Sequence, residues 1–516
     1  MESSPEAITP RAKKFTARSL IACLGAILLW APSASAQSAA DYHARADKAL
    51  QSYLLKFWKA DAQYLHASYP SNGSTTGYWT YANGLDAVLD GVERTNKQQY
   101  LGLIETFYLG QEQRGWFVDY YDDEAWMSLA LIRAYDLTGD AKYLNKAKEL
   151  YADIRNAWDT TCCGTTRGGI WWNRAHTQKA TASNAGPVIA GVRLYRRTGD
   201  ASYLSFAQQV YDYWFNNMVN TSTWQVADHF EPNGTKVWWK FTYNEGLMIG
   251  ASVELYEATQ NATYLNRAHG FAGFMVSQEV TSSLYGNVLY DGTNTGCAGD
   301  CHEFKGPGYR YLLRLYQKDT SKTAYYNVLK ASADALWNQA RNTTNDTFAV
   351  NWAGPSMSGA SEPQQSAATA ALNRFAQHYG AYPGSGIPSN RYEAENAVLH
   401  RLGLEANGAG FTGWGYVAGW NGDSQWIDFR VYNATAGTRT LTFRYAGGAG
   451  NASRLVFING ANAVANKSFP GTGSWNTYGT VSVTSNLPAG WSTVSLIYNS
   501  SQGSSNYLNL DSLTVN

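Results

Sequence analysis

The stretch DLTGDAKYLNKAKELYADI, beginning at Asp136, returns as RRTGDASYLSFAQQVYDYW from Arg196 and as EATQNATYLNRAHGFAGFM from Glu257. QKDTSKTAYYNVLKASADAL, from Gln317, is a further copy, and ERTNKQQYLGLIETFYLG, from Glu93, an earlier and shorter-spaced one. A step of roughly 60 residues constrains the fold strongly, because one repeat of this kind cannot bury its own apolar side and must stack on its neighbours. Each copy reads as a helix end, a tight turn and a new helix start. Gly139 and Gly199 suit the left-handed position after a helix, and Asp140 and Asp200 suit the cap of the next. Tyr143, Leu144 and Ala147 then recur at helical spacing, as do Tyr203, Leu204 and Ala207.

Helical periodicity also marks 39–66, 82–93, 123–137, 183–197, 244–258, 302–317 and 362–379. With the helices that follow each turn, this makes about twelve, in about six pairs. An open solenoid and a closed ring both fit such a repeat. The oddest residues gather in the loops between hairpins, which favours a closed (α/α)6 toroid whose inner helices line a central cleft. Beyond residue 380 the texture changes. GAYPGSGIPSN is a linker, and QWIDFRVY, TLTFRYAGG, RLVFING, TVSVTS, STVSLIY and LNLDSLTV alternate apolar and polar residues. These predict an all-β jelly-roll sandwich. The expected division is a helical domain over 37–380, a linker over 381–390 and a sandwich over 391–516.

Residues 1–36 read as a secretory signal peptide: Arg11, Lys13, Lys14 and Arg18 precede the apolar LIACLGAILLWA, and Ala34, Ser35 and Ala36 form the cleavage site. No second long apolar run and no C-terminal anchor signal follow, so the expectation is a secreted, extracellular monomer without a membrane anchor. Lys+Arg and Asp+Glu both number 40, which leaves no basic footprint for nucleic acid. The 19 Trp and 36 Tyr instead suit stacking on sugar rings. After the signal, Cys162, Cys163, Cys297 and Cys301 remain. The short Cys297–Cys301 spacing suits a loop disulfide better than zinc, and the sequence leaves the connectivity open.

Among the loops, YYDDEAW sets Asp122 and Asp123 after Tyr121 at the head of a helix. Adjacent side chains there can hold carboxyl groups about 5 Å apart, the separation a retaining glycosidase requires. The helix N-terminus favours one carboxylate, while its neighbour keeps a proton to higher pH. Both residues also suit simple helix capping. Trp79 and Asn83, Trp171 and Trp172, and Tyr243, Asn244 and Glu245 fall where inner helices begin, as do Asp300, His302, Glu303 and Lys305. Their shared end of the ring points to a common cleft. Phosphate-binding, serine-hydrolase and zinc-peptidase motifs are absent.

YYDDEAW, GGIWWN, TYNEGLMIGASVELY and CHEFKG, in this order, resemble glycoside hydrolase family 76, over about residues 37–380. The resemblance implies an endo-α-1,6-mannanase acting with retention on yeast- or fungal-type mannan, with Asp122 as nucleophile, Asp123 as acid/base and no catalytic cofactor. Asn244, Glu245 and Lys305 fall in matching motifs, and Trp172, Asn184 and Asp228 lie where the family lines its cleft. Glu245 and Glu303 stand where the family often has Gln, and Trp126-Met127 where it has paired Trp. A transglycosylase on the same site and a non-catalytic mannan-binding protein are the alternatives.

RYEAENAVL at the start of the sandwich and NLDSLTVN at its end resemble a carbohydrate-binding module of family 6 or 35 type. Glu393, Glu395 and Asp511 are hard oxygen donors that the fold brings together, suited to a structural calcium or else to a wetted strand face. The resemblance implies Tyr416, Trp475 and Asn506 as ligand contacts, with a core role open for Tyr416 and Trp475.

Overall fold

The computed structural model describes residues 37–163, 167–292 and 299–516. The segment read as a signal peptide and Cys297 lie outside the described residues. No described helix is long and apolar enough to cross a membrane.

The helical domain has an outer set of α-helices: α1 (Ala39–Phe57), α3 (Leu101–Glu112), α5 (Ala141–Asn156), α7 (Ala201–Met218), α9 (Ala262–Gln278) and α11 (Thr323–Ala335). The inner set is α2 (Tyr78–Arg94), α4 (Tyr121–Thr138), α6 (Thr181–Thr198), α8 (Thr242–Thr259), α10 (Lys305–Lys318) and α12 (Glu362–His378). Each inner helix packs on the next, and α12 returns to α2, so the ring is closed. Burial separates the two sets. Inner α8 is buried on every face from Thr242 to Leu255. Outer α9 buries a stripe of Tyr264, Ala268, Phe271, Ala272 and Met275, the spacing of an amphipathic helix.

The repeat turns form as the sequence implies. Gly139 and Gly199 end α4 and α6 at φ 73° and 74°, and the Asp140 and Asp200 side chains accept from Lys142 N and Ser202 N at 3.0 and 2.9 Å. In the third copy Gln260 takes the left-handed place at φ 58°, and Asn261 caps α9. The first helix is shorter than its periodicity suggested. It stops at Phe57, because Trp58–Lys59 pairs with Tyr64–Leu65 in a hairpin.

The inner helices all run the same way, so their C-termini share the end opposite the cleft. That end is closed by ion pairs. Arg310 and Arg133 bind Asp86 and Asp90, Arg374 binds Asp90, and Arg193, Arg196 and Arg314 gather on Glu254. The guanidinium groups also complement the negative ends of the helix dipoles.

The C-terminal domain is a two-sheet sandwich. One sheet orders the strands Gly403–Glu405, Tyr416–Ala418, Asn509–Val515, Gly437–Ala446 and Gly479–Leu487, with Arg391–Glu393 added beside Asn509–Val515. The other orders Val398–His400, Trp426–Asn433, Gly490–Ile497, Ala452–Ile458 and Ala461–Phe469. The sandwich is seated on α3. Tyr100 N donates to Asn396 Oδ1 at 3.0 Å, Leu399 N to Thr106 Oγ1 at 2.9 Å, and Trp58 Nε1 to Leu402 O at 2.8 Å. Gly102 permits this approach, since a Cβ there would lie 2.4 Å from the Ala397 carbonyl carbon. Residues 381–390 are held as well: Tyr382 OH donates to Asp47 Oδ2 at 3.2 Å, and Ser385 N to Gln98 Oε1 at 3.1 Å.

Cys162 and Cys163 form a disulfide with each other, a pairing the sequence did not suggest. Cys301 is also disulfide-bonded.

Candidate active site

At the N-terminal end of the inner helices lies a cleft of about 630 Å³, lined by Trp79, Tyr120, Asp122, Asp123, Trp126, Trp172, Asp228, Tyr243, Asp300 and Phe304, among others. That volume falls within the range that accommodates a small-molecule ligand.

The start of α4 and the loop 168–174 are zipped together, which brings a tryptophan to the first aspartate. Tyr121 N donates to Trp172 O at 2.9 Å, and Tyr120 bridges Asn173. Trp172 Nε1 then donates to Asp122 Oδ2 at 3.0 Å, while Asp122 Oδ1 is buried with no hydrogen-bond partner among the described residues. Burial pushes Asp122 up to about 7, held down by the indole donor. Asp123 is pushed higher still, by burial first and then by the charges of Asp122 and Asp300. Both carboxyls therefore resist ionisation, and the indole donor makes Asp122 the better placed of the two to carry a negative charge. Such an arrangement supplies a carboxylate beside a carboxylic acid in one cleft.

The third acid of the run does a different job. Glu124 is fully buried and accepts from Val118 N at 3.1 Å and Arg174 Nη2 at 2.9 Å, fixing the loop that leads into α4.

Of the residues singled out from sequence, Trp79, Asp122, Asp123, Trp172, Asp228, Tyr243 and Asp300 line the cleft. Trp79 Nε1 donates to Asp300 Oδ1 at 3.1 Å. Tyr243 OH and Asn244 Nδ2 donate to Asp228 Oδ1 at 2.7 and 3.2 Å. Asn83, Tyr121, Trp171, Asn184, Asn244, Glu245 and Lys305 stand buried behind the wall, a correction to their expected substrate contact. Asn184, wholly buried, clasps Ile170 through both N–H and C=O and so shapes the loop carrying Trp172. Trp171 stacks on His176 at 4.6 Å, and Tyr121 lies beneath Arg174. Asn83 is buried and donates to Trp79 O at 3.0 Å. Lys305 is buried with its ammonium 3.7 Å from Asp291 Oδ2, and Asn244 reaches the cleft only through Asp228.

Glu245 is buried and accepts from Val226 N at 2.7 Å. Burial pushes it from 4.5 up to about 8, and burial also raises its neighbour Glu279. Two facing carboxyls form a hydrogen bond only while one holds a proton.

His229, Glu231, Trp239 and Phe304 also line the cleft and escaped sequence reasoning. They sit on a short hairpin and a loop whose local pattern carries no helical or strand period of useful length.

In the sandwich, Glu393, Glu395 and Asp511 meet around Thr412, whose hydroxyl lies 2.8 Å from Glu393 Oε2 and from Asp511 Oδ2. Glu395 Oε1 accepts from Trp414 N at 2.9 Å, and its Oε2 is buried without a partner. Arg391 and Arg444 pair with Glu393 and Asp511. Among the described residues no three acidic, histidine or cysteine side chains form a ready metal cage. Trp475 is exposed over Gly448, and the Asn506 amide donates to the Ala449 and Asn451 carbonyls at 3.0 and 3.2 Å, so both frame one loop. Tyr416 is buried instead, its hydroxyl bonded to Glu405 and Asn407, so its ring is a support rather than an open platform.

A model of glycosyl hydrolase family 76 matches residues 41–382, and one of carbohydrate binding module (family 6) matches residues 400–516. The isomaltosyltransferase of Sporosarcina globispora is 35% identical over 131 residues, which are 25% of this chain and 12% of that protein. Mannan endo-1,6-alpha-mannosidase DCW1 of Candida glabrata is 29% identical over 208 residues, 37% of this chain and 45% of that protein. The chain thus spans less than half the length of either relative. Among solved structures, an inactive variant of an alpha-1,6-mannanase from Salegentibacter sp. HEL1_6, with two consecutive aspartates replaced and alpha-1,6-mannotetrose bound, superposes with TM-score 0.58 at 25% identity. It covers 65% of this chain and 99% of that one.

Removing the indole donor while keeping an aromatic ring should raise the Asp122 pKa. Trp172→Phe is expected to move the acid limb of the kcat/KM profile to higher pH, read from initial rates across the pH range; an unmoved limb would detach Trp172 from Asp122. For Glu245 the native state holds a proton, between about 4.5 and about 8, that the unfolded chain has released. Stability should therefore fall as pH rises through that window. Urea unfolding should show a shallower fall for Glu245→Gln than for the parent.

Proposed function

Since the chain belongs to glycosyl hydrolase family 76, we propose that it hydrolyses internal α-1,6-mannosidic linkages of yeast- or fungal-type mannan with retention of configuration, acting outside the cell. The observation that carries this reading is the placement of Asp122 and Asp123 side by side in the first turn of α4, both bordering one aromatic-walled cleft, with the Trp172 indole bonded to the first. The Salegentibacter mannanase variant, inactive with two consecutive aspartates replaced, supports it.

Asp122, as the carboxylate, attacks the anomeric carbon, and Asp123 gives its proton to the departing glycosidic oxygen. With the leaving chain gone, Asp123 is a base. It takes a proton from water, which attacks the anomeric carbon from the opposite side and releases Asp122. Two inversions leave the configuration as it began. Trp172 steadies the Asp122 carboxylate before attack and gives up part of that bond as its charge passes to the sugar.

The module would keep the enzyme against insoluble polysaccharide and raise the local concentration of cleavable chain. Calcium among Glu393, Glu395 and Asp511 is part of the proposal: the buried, unpartnered Glu395 Oε2 and the converging acids favour a hard cation there.

Asp122→Asn and Asp123→Asn should each reduce reducing-end release from α-1,6-mannan by at least roughly a thousandfold with unchanged circular dichroism; near-parental rates in either would remove that residue from its role. Millimolar calcium should raise the module's unfolding temperature and EGTA reverse it, with no response in Glu395→Gln. An EGTA-insensitive transition would discard the metal.

A further inference from the structure

Aromatic rings follow one another along the cleft wall. Trp126, one helical turn beyond Asp123, lies 6.4 Å between centroids from Trp79. Trp79 lies 6.3 Å from Phe304, Phe304 5.0 Å from Phe241, and Phe241 5.9 Å from Trp239. The arc begins beside the reacting pair and ends, four rings on, at a tryptophan that is 54% exposed. Leaving an indole this open in a concave wall forgoes burial that a ring of this size would otherwise gain. Among the described residues no ring lies parallel over Trp239: it meets His229 at 5.1 Å and 68° and Phe241 at 5.9 Å and 66°.

The exposed ring is firmly mounted. The strands His229–Phe230 and Lys236–Val237 form a hairpin closed by Gly234 at φ +89°, with Gly234 N bonded to Glu231 O at 2.8 Å and Glu231 N to Thr235 O at 2.9 Å. Lys179–Ala180 pairs with its first strand, and Gln225 Nε2 holds Trp238 O at 3.2 Å. Beside the ring runs a polar line. Glu231 Oε1, on a side chain 43% exposed, lies 3.4 Å from His229 Nε2, and His229 Nδ1 lies 2.7 Å from Asp228 Oδ2. A flat ring face edged by a carboxylate and an imidazole is the environment a pyranose takes, with its C–H face on the indole and its hydroxyls toward the polar edge.

We propose that Trp239, with Glu231 and His229, forms an outer subsite for a neutral hexopyranose unit several residues from the scissile bond, so that the cleft discriminates substrates by chain length. This rests on the reading of the cleft as an α-1,6-mannan-cleaving site and deepens it. The subsite engages only oligosaccharides long enough to run the whole arc, and shorter ones bind through the inner rings alone.

The test reads binding where no turnover occurs. In the Asp122→Asn/Asp123→Asn double variant, calorimetric titration with α-1,6-linked mannobiose through mannohexaose should show affinity rising with length to a plateau. Adding Trp239→Ala should remove the last increment, about tenfold, from the longer members while sparing the shortest. Trp239→Phe should restore most of it, and Glu231→Gln should lose part. An undiminished increment in Trp239→Ala, or an equal loss at every length, overturns the subsite. Hydrolysis of α-1,6-mannan by the unsubstituted protein is scored separately. Length-dependent, Trp239-sensitive binding without hydrolysis would uphold the subsite and refute the proposed reaction.

Discussion

Six inner helices run in one direction around a closed ring, and this shared polarity sorts the charges of the helical domain. At the C-terminal end, acids are matched by guanidinium groups: Glu93 is held down to about 2 beside Arg374 and Arg133, despite its burial. At the N-terminal end, Asp122, Asp123, Glu245, Glu303 and Glu362 lie with few basic partners, and burial raises every one of them. Helix N-termini temper the penalty of burying these acids but do not cancel it. The end that faces the cleft therefore carries protons at pH values where ordinary carboxyls have lost them. Acid–base chemistry on a sugar needs such protons.

This sorting separates acids that act from acids that hold. Glu303 bonds Ser366 at 2.6 Å, and Glu362 accepts from Thr76 at 2.9 Å; both are enclosed between helices. Asp122 and Asp123 share that electrostatic setting but border the open cavity. Access decides which raised carboxyls can reach a substrate, and beside Asp122 the cleft wall is shaped by the loop 168–174, which Asn184 anchors at Ile170.

The ring, its turns and the aspartate pair were legible in the sequence because each rests on local chemistry. Gly139-Asp140 and Gly199-Asp200 spell a helix stop and a helix start, and YYDDEAW places its acids within one turn. The cleft's far wall was not legible. Trp239 and Phe304 reach the same wall through Phe241 because α8 packs on α10, and no short-range pattern marks a residue that gains its role from neighbours on another helical pair. The family resemblance places Asn184, Glu245 and Lys305 at the cleft, and a motif match does not separate a side chain that faces the cavity from one just behind it. Only their burial shows that they brace the cleft from behind. The same holds for Tyr416, whose hydroxyl is spent on Glu405 and Asn407.

The sandwich is fixed to the ring at α3 and along residues 381–390, so it cannot wander freely from the catalytic domain; the two present their surfaces in a set relation. What matters most is still the division of labour between two neighbouring acids. A mannosyl fluoride donor carrying a second fluorine at C5, which slows release more than formation, would accumulate the glycosyl-enzyme, and peptide mass spectrometry would locate the label. A single mannosyl adduct on Asp122 is the predicted result. An adduct on Asp123, or none despite donor turnover, would contradict the mechanism at its root.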